Sequence, residues 1–116
     1  MEKLLEKLEL ILKSECDLHE ELLGTANLFN DAIKKNDLAA IQKFTTQHDE
    51  QVYQIAKLEE QRIECATNLA RELSLSVETP KMAAVLEKVP PEWHQRLSTV
   101  QSKLKEQISE LTRINT

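Results

Sequence analysis

Apolar residues recur every three or four positions along most of the chain, which is the spacing of amphipathic helices. The first such segment covers about residues 2–35, contains no proline, and repeats part of its apolar pattern at intervals of seven, as coiled coils do. A second segment of similar length covers about residues 38–73. The pattern therefore predicts two long helices of nearly equal length.

The break between these two segments is short and polar. Lys34 and Lys35 complement the negative end of the first helix, and Asn36 or Asp37 can accept a hydrogen bond from the first amides of the second. A turn this short makes the helices antiparallel, so the numbers of contacting residues should add up to about 73. This register pairs Phe29 with Phe44, Ile33 with Ala40, Leu18 with Ile55, Leu8 with Cys65 and Leu4 with Leu69.

The same register brings two charged residues together inside the apolar seam. It places Glu15 within one helical turn of Arg62. Glu15 can neutralise Arg62 in a partly buried layer, or both side chains can be solvated at the edge of the seam. The sequence leaves both interpretations open.

The C-terminal part of the chain contains two further helix signals. Thr79 followed by Pro80 predicts the start of a short helix over about residues 80–88. Pro90 and Pro91 end that helix and begin a last one over about residues 91–114. The apolar stripe of this last helix consists of Trp93, Leu97, Val100, Leu104, Ile108, Leu111 and Ile114.

The predicted fold class is therefore all-α, in a single helical domain that spans residues 1–116. A long antiparallel helical hairpin is followed by a short extra helix and then by a third, C-terminal helix. Together they form a three-helix bundle with coiled-coil character.

Composition excludes several classes of function. One Gly and three Pro are too few for the turns of sandwiches, barrels or Rossmann folds, and a single Gly cannot form a phosphate-binding loop. A net charge of −5 leaves no basic excess for nucleic acid. The longest purely apolar run, at residues 82–86, is far shorter than the ~20 residues that cross a bilayer. We expect a cytoplasmic protein with no nucleic-acid partner and no membrane insertion.

Residues that could catalyse a reaction or bind a metal are few. The best metal candidates are Glu15, Cys16, His19 and Glu20, but the second helix offers no matching pair of ligands. Cys16 and Cys65 are about two turns out of register, which argues against a disulfide. No Gly-rich elbow is available to hold a nucleophile against a His. We therefore expect no enzyme activity, no metal and no other cofactor.

The apolar stripe of the last helix has two possible roles. It can complete the core of the monomer, or it can accept the amphipathic helix of a partner in a groove. Burial of one Leu contributes about 1.5–3 kcal/mol, so a few such anchors are enough for micromolar binding. In the second role, the predicted partner-binding residues are the seven apolar residues of the stripe, from Trp93 to Ile114.

The order of these features resembles the FlgN-like flagellar export chaperones of bacteria. The resemblance spans the whole chain and rests on five segments taken together. These are Leu4-Leu5-x-x-Leu8-x-x-Ile11-Leu12, Glu20-Glu21-Leu22-Leu23, the turn Lys35-Asn36-Asp37-Leu38, the stretch Lys57-Leu58-Glu59-Glu60-Gln61-Arg62, and the closing Leu111-Thr112-Arg113-Ile114-Asn115.

This resemblance implies a chaperone of the type III flagellar export system. Such a protein binds the C-terminal amphipathic helices of hook–filament junction proteins, which are hook-associated proteins, in the cytosol. It prevents their premature assembly and delivers them to the export gate. The residues by themselves also allow a second function, that of a structural coiled-coil adaptor whose hairpin forms a homodimer.

Overall fold

The computed structural model describes residues 1–73 and 82–115. Four helices form in this part of the chain: α1 (Glu2–Lys34), α2 (Leu38–Glu72), α3 (Met82–Lys88) and α4 (Pro91–Asn115). The described residues contain no β-strand, and the predicted all-α fold with a long hairpin and a C-terminal helix is confirmed. The predicted helix start at Thr79 and Pro80 lies outside the described residues.

The turn between α1 and α2 is a compact capping motif. Asn36 has a φ of 55°, the left-handed conformation that Asn tolerates better than most residues. Its amide donates to the carbonyl of Ile33, and the amide of Asp37 donates to the carbonyl of Ala32, the bonding pattern of a Schellman motif. The Asp37 side chain then caps α2 by accepting a hydrogen bond from the amide of Ala40 at 3.1 Å.

Contacts at the other end of the hairpin fix its antiparallel register. The amino group of Met1 lies 3.1 Å from a carboxylate oxygen of Glu72. The Cys65 thiol donates to the carbonyl of Leu4 over 3.2 Å. Both contacts agree with the predicted register to within about one helical turn.

α4 runs parallel to α1 and packs along it. Near its start, Arg96 donates two hydrogen bonds to the Glu9 carboxylate, at 2.7 and 2.9 Å. Farther along, Cys16 lies between two α4 residues: its thiol donates to the carbonyl of Val100, and its own carbonyl accepts from the side chain of Gln107. These contacts set the level of each α4 residue along α1.

α3 connects the two outer helices. It packs on both α2 and α4, whereas α2 and α4 do not pack directly on each other in the described part of the chain. The side chains of Met82, Val85 and Leu86 belong to the same buried cluster as Ala66 of α2 and Leu97 of α4. The result is an elongated bundle of 55 × 21 × 21 Å in which α3 covers only one end of the groove between α2 and α4.

Candidate functional site

The first half of the predicted binding stripe is built into the core of the monomer. Trp93, Leu97 and Leu104 are buried, and all three belong to the main hydrophobic cluster. Val100 is half-buried and packs against the same cluster. The guanidinium of Arg96 lies 3.9 Å from the centre of the Trp93 ring, which adds a cation–π contact to the ion pair between Arg96 and Glu9. These side chains hold α4 on α1.

The second half of the stripe is much more accessible. Leu111 and Ile114 are half-buried, and Ile108 is 45% exposed. Ile108 lies eleven residues, or about three turns, after Leu97 and therefore on the same side of α4, yet Leu97 is fully buried. The structure thus separates the predicted residues into a core group at the start of α4 and an accessible group at its end.

α2 shows the same change in exposure along one of its rows. Ala66 is only 2% exposed and belongs to the cluster that α3 joins. Residues at intervals of seven share one side of a helix, and the row of Ala66 continues toward the hairpin turn with Glu59 and Val52. Val52 is 44% exposed.

These accessible residues face one another across α1. The register of the hairpin and of α4, fixed by the contacts described above, puts Val52 and Ile108 at the level of the buried Leu22 of α1. We call this surface the open groove; it is lined by Val52 on α2 and by Ile108 and Leu111 on α4. From residue 101 to residue 114 of α4 it is about 20 Å long, which is enough for a docked helix of about 13 residues.

A small cavity lies at the far end of the open groove, near the hairpin turn. It has a volume of about 160 Å³ and is lined by Thr25, Ala26, Phe29, Thr45 and His48. Its walls are mainly apolar, and its size is that of one large aliphatic or aromatic side chain. The lining residues come from the end of α1 and the start of α2. These two segments therefore lie next to each other, which is the arrangement that the predicted pairing of Phe29 with Phe44 needs.

Charged residues lie near the other end of the open groove. Glu15 is fully buried, and its carboxylate lies 3.7 Å from the Arg62 guanidinium, which in turn donates a hydrogen bond of 2.7 Å to Glu59. Of the two interpretations of Glu15 and Arg62, the buried layer is therefore correct. The pKa of Glu15 is raised to about 8, mainly because the side chain is buried and to a lesser extent because the Glu59 carboxyl lies nearby.

The predicted metal candidates do not form a metal centre. No group of three or more His, Cys, Asp or Glu side chains that could hold a metal ion occurs in the described part of the chain. His19 is buried, and this burial lowers its pKa, so its imidazole is neutral at pH 7. Cys16 and Cys65 are buried free thiols that are not joined to each other.

The sequence alone did not single out Val52 as a member of a site. Val52 lies two heptads before the covered Ala66 on α2, and this was the available signal. It could not be used because only the position of α3 decides which part of that side of α2 is covered.

A model of one protein family, described as FlgN protein, matches residues 1–116, the whole chain. The chain belongs to the FlgN family. FlgN proteins are flagellar export chaperones that bind hook-associated proteins, and the family is one of chaperones and not of enzymes. No curated protein and no solved structure matches this FlgN chain significantly. None of its described helices combines the length and apolar character needed to cross a bilayer.

Proposed function

We propose that this FlgN protein acts in the cytoplasm and binds the C-terminal amphipathic helices of hook–filament junction proteins. Its role is to cover these helices until export, which prevents their premature assembly, and to deliver the cargo to the export gate. The observation that carries the proposal is the change from buried to exposed along matching rows of α2 and α4. An amphipathic helix docked in the open groove would cover Val52 and Ile108 as α3 covers Ala66 and Leu97.

The size of the open groove supports a helical occupant. A length of about 20 Å corresponds to nearly four turns, and the accessible apolar side chains on its walls are Val52, Ile108 and Leu111. The cavity beside Phe29 offers a place for one anchoring side chain at the end of such a helix. Of the predicted partner-binding residues, Ile108, Leu111 and Ile114 are the ones available for direct contact.

The remaining predicted residues have a supporting role in this proposal. Trp93, Leu97, Val100 and Leu104 hold α4 on α1, and this placement gives the open groove its second wall. A cargo helix that displaced them would first have to break the core contacts of α4. Docking beside α4 avoids this loss, so we favour docking over exchange.

Isothermal titration calorimetry with a peptide from the C-terminus of a junction protein tests this function. We expect a complex with one peptide per chain for the unaltered protein. Replacing Ile108 and Val52 with Glu should weaken binding at least about a hundredfold, since two anchors worth about 1.5–3 kcal/mol each are lost. Both side chains are already solvent-accessible, so circular dichroism should remain helical.

Leu10 provides the matched control, because it is an exposed leucine on the side of α1 that faces away from α2. Leu10→Glu should leave binding unchanged. Equal loss in the control and in the groove variant would contradict docking in the open groove. Light scattering on the free protein separates this proposal from the adaptor function: a stable homodimer that buries the open groove and ignores the peptide would favour the adaptor.

A further inference from the structure

A layer of polar side chains crosses the groove where the cover provided by α3 ends. We call it the polar layer: Glu15 from α1, Glu59 and Arg62 from α2, and Gln101 from α4. Glu59 lies seven positions from Ala66 on the covered side and seven from Val52 on the open side. Gln101 follows Val100, whose carbonyl oxygen accepts from the Cys16 thiol, so it lies at the level of Glu15. A helix that enters the open groove therefore has to pass beside this layer.

Buried oxygen atoms in the polar layer lack hydrogen-bond donors. Glu15 is fully buried, and its raised pKa keeps it protonated at neutral pH, so its one O–H can donate to Glu59 while its other oxygen has no donor. The side-chain oxygen of Gln101 is also buried without a partner. Arg62 already donates to Glu59, and its separation of 3.7 Å from Glu15 is longer than a hydrogen bond. One guanidinium thus serves two carboxyl groups.

A purely apolar helix would make this imbalance worse. The Glu59 side chain is 39% exposed and is still solvated on the groove side. Covering this carboxylate without giving it a further donor removes its remaining hydration, and this penalty exceeds the gain from burying one apolar side chain. The raised pKa of Glu15 shows that the surroundings already disfavour a second negative charge here.

Building on the proposed function, we propose that the polar layer selects cargo helices that carry one basic side chain, Lys or Arg, among their apolar positions. The ammonium or guanidinium group pairs with Glu59 and supplies the donors that the layer lacks. The net charge of −5 also favours a basic partner. A single buried polar contact of this kind fixes the register of the docked helix, as polar core positions do in coiled coils.

Calorimetry with the unaltered chain, Glu59→Gln and a control variant tests this inference on the same junction-protein peptide. Glu59→Gln keeps the size of the side chain but removes its charge, and we expect at least about a tenfold loss of affinity. The control is Glu60→Gln, since Glu60 is the adjacent exposed carboxylate outside the groove; its affinity should stay within about twofold.

The peptide provides a second, independent arm, because it is tested on the unaltered chain. Replacing its basic residue with Met should cause the same loss as Glu59→Gln, and the two losses should not add up in the combined pair. Equal or tighter binding by Glu59→Gln, or no loss on removing the basic residue, would overturn the polar layer as a selective element and leave docking in the groove intact. Absence of any complex with the unaltered chain would instead refute the proposed function, and this inference with it.

Discussion

Residues of the same rows on α2 and α4 differ in solvent exposure between the two ends of the bundle. Where α3 packs on α2 and α4, Ala66 and Leu97 are buried in a continuous core. Toward the hairpin turn, Val52 and Ile108 occupy equivalent positions and remain exposed. At one end the apolar residues are therefore fully covered by neighbouring helices. At the other end they form a surface that one further helix would bury.

This difference shows that helical periodicity identifies the apolar side of a helix but not which other helix, if any, packs on it. A seven-residue helix such as α3 spans only about 10 Å of a bundle that is 55 Å long. The remaining groove has the chemistry of a core and the accessibility of a surface. In the proposed function, this combination is what allows a cargo helix to complete the bundle.

The largest contrast between the two ends should appear in core truncations. Leu97→Ala removes a fully buried side chain and should lower the free energy of unfolding by about 2–5 kcal/mol, whereas Ile108→Ala should lower it by less than about 1 kcal/mol. Urea denaturation of the free chain measures both values. Similar losses for the two variants would mean that the groove is closed in solution and that the comparison between the ends is wrong.

A somewhat smaller effect is expected from pH, at the boundary between the two ends. The folded chain holds the pKa of Glu15 at about 8, against an ordinary value of 4.5, so folding favours the protonated carboxyl. The associated stability is complete below about pH 4.5 and is lost as the pH rises through 8. At about 1.4 kcal/mol per pKa unit, the unaltered chain should lose a few kcal/mol between pH 5 and 8.5.

Glu15→Gln tests the origin of this pH dependence. The variant cannot ionise at this position, so the fall in unfolding free energy over this pH range should disappear, and the remaining dependence, from the lowered pKa of His19, has the opposite sign. Although burial opposes it, the neighbouring Glu15 and Arg62 hold the pKa of Glu59 below its usual value, so Glu59 affects stability only in more acidic solution. Denaturation curves at several pH values measure the effect, and an unchanged pH slope in Glu15→Gln would exclude Glu15 as its source.

The smallest expected effect concerns the turn between α1 and α2, at the end of the bundle that α3 does not cover. Asn36 has a positive φ, so Asn36→Ala should lower the unfolding free energy by about 1 kcal/mol, while Asn36→Gly should be neutral or slightly stabilising. Thermal unfolding of the two variants compares them directly. Loss of stability in the glycine variant as well would point to a role of the Asn side chain and not of its backbone conformation.

Much of the hairpin was predictable because its information is local. The spacing of Leu4, Leu8 and Ile11 defines the side of α1 that packs on α2, and Asn36 with Asp37 defines the turn. A short turn between two long helices then leaves only the antiparallel arrangement. The proximity of Glu15 and Arg62 follows from the same register.

The sequence predicted the apolar stripe on α4, but it did not predict that the first residues of the stripe are buried and the last ones accessible. Trp93, Leu97 and Ile108 have the same periodicity and nearly the same chemistry, so no property of the stripe itself distinguishes a core residue from a groove residue. The missing information is where α3 lies on the neighbouring helices. That placement depends on contacts with α2 and α4, which are distant from each other in sequence.

The sequence by itself determined the helices, their amphipathic sides, the antiparallel hairpin and membership of the FlgN family, because backbone periodicity, capping residues and family motifs are all written along the chain. Only the tertiary structure decided which apolar residues are covered, where the groove opens, and that Glu15 is buried beside Arg62. The physical reason is that burial depends on which other helix lies at the same level of the bundle, and a linear pattern of residues does not contain that information.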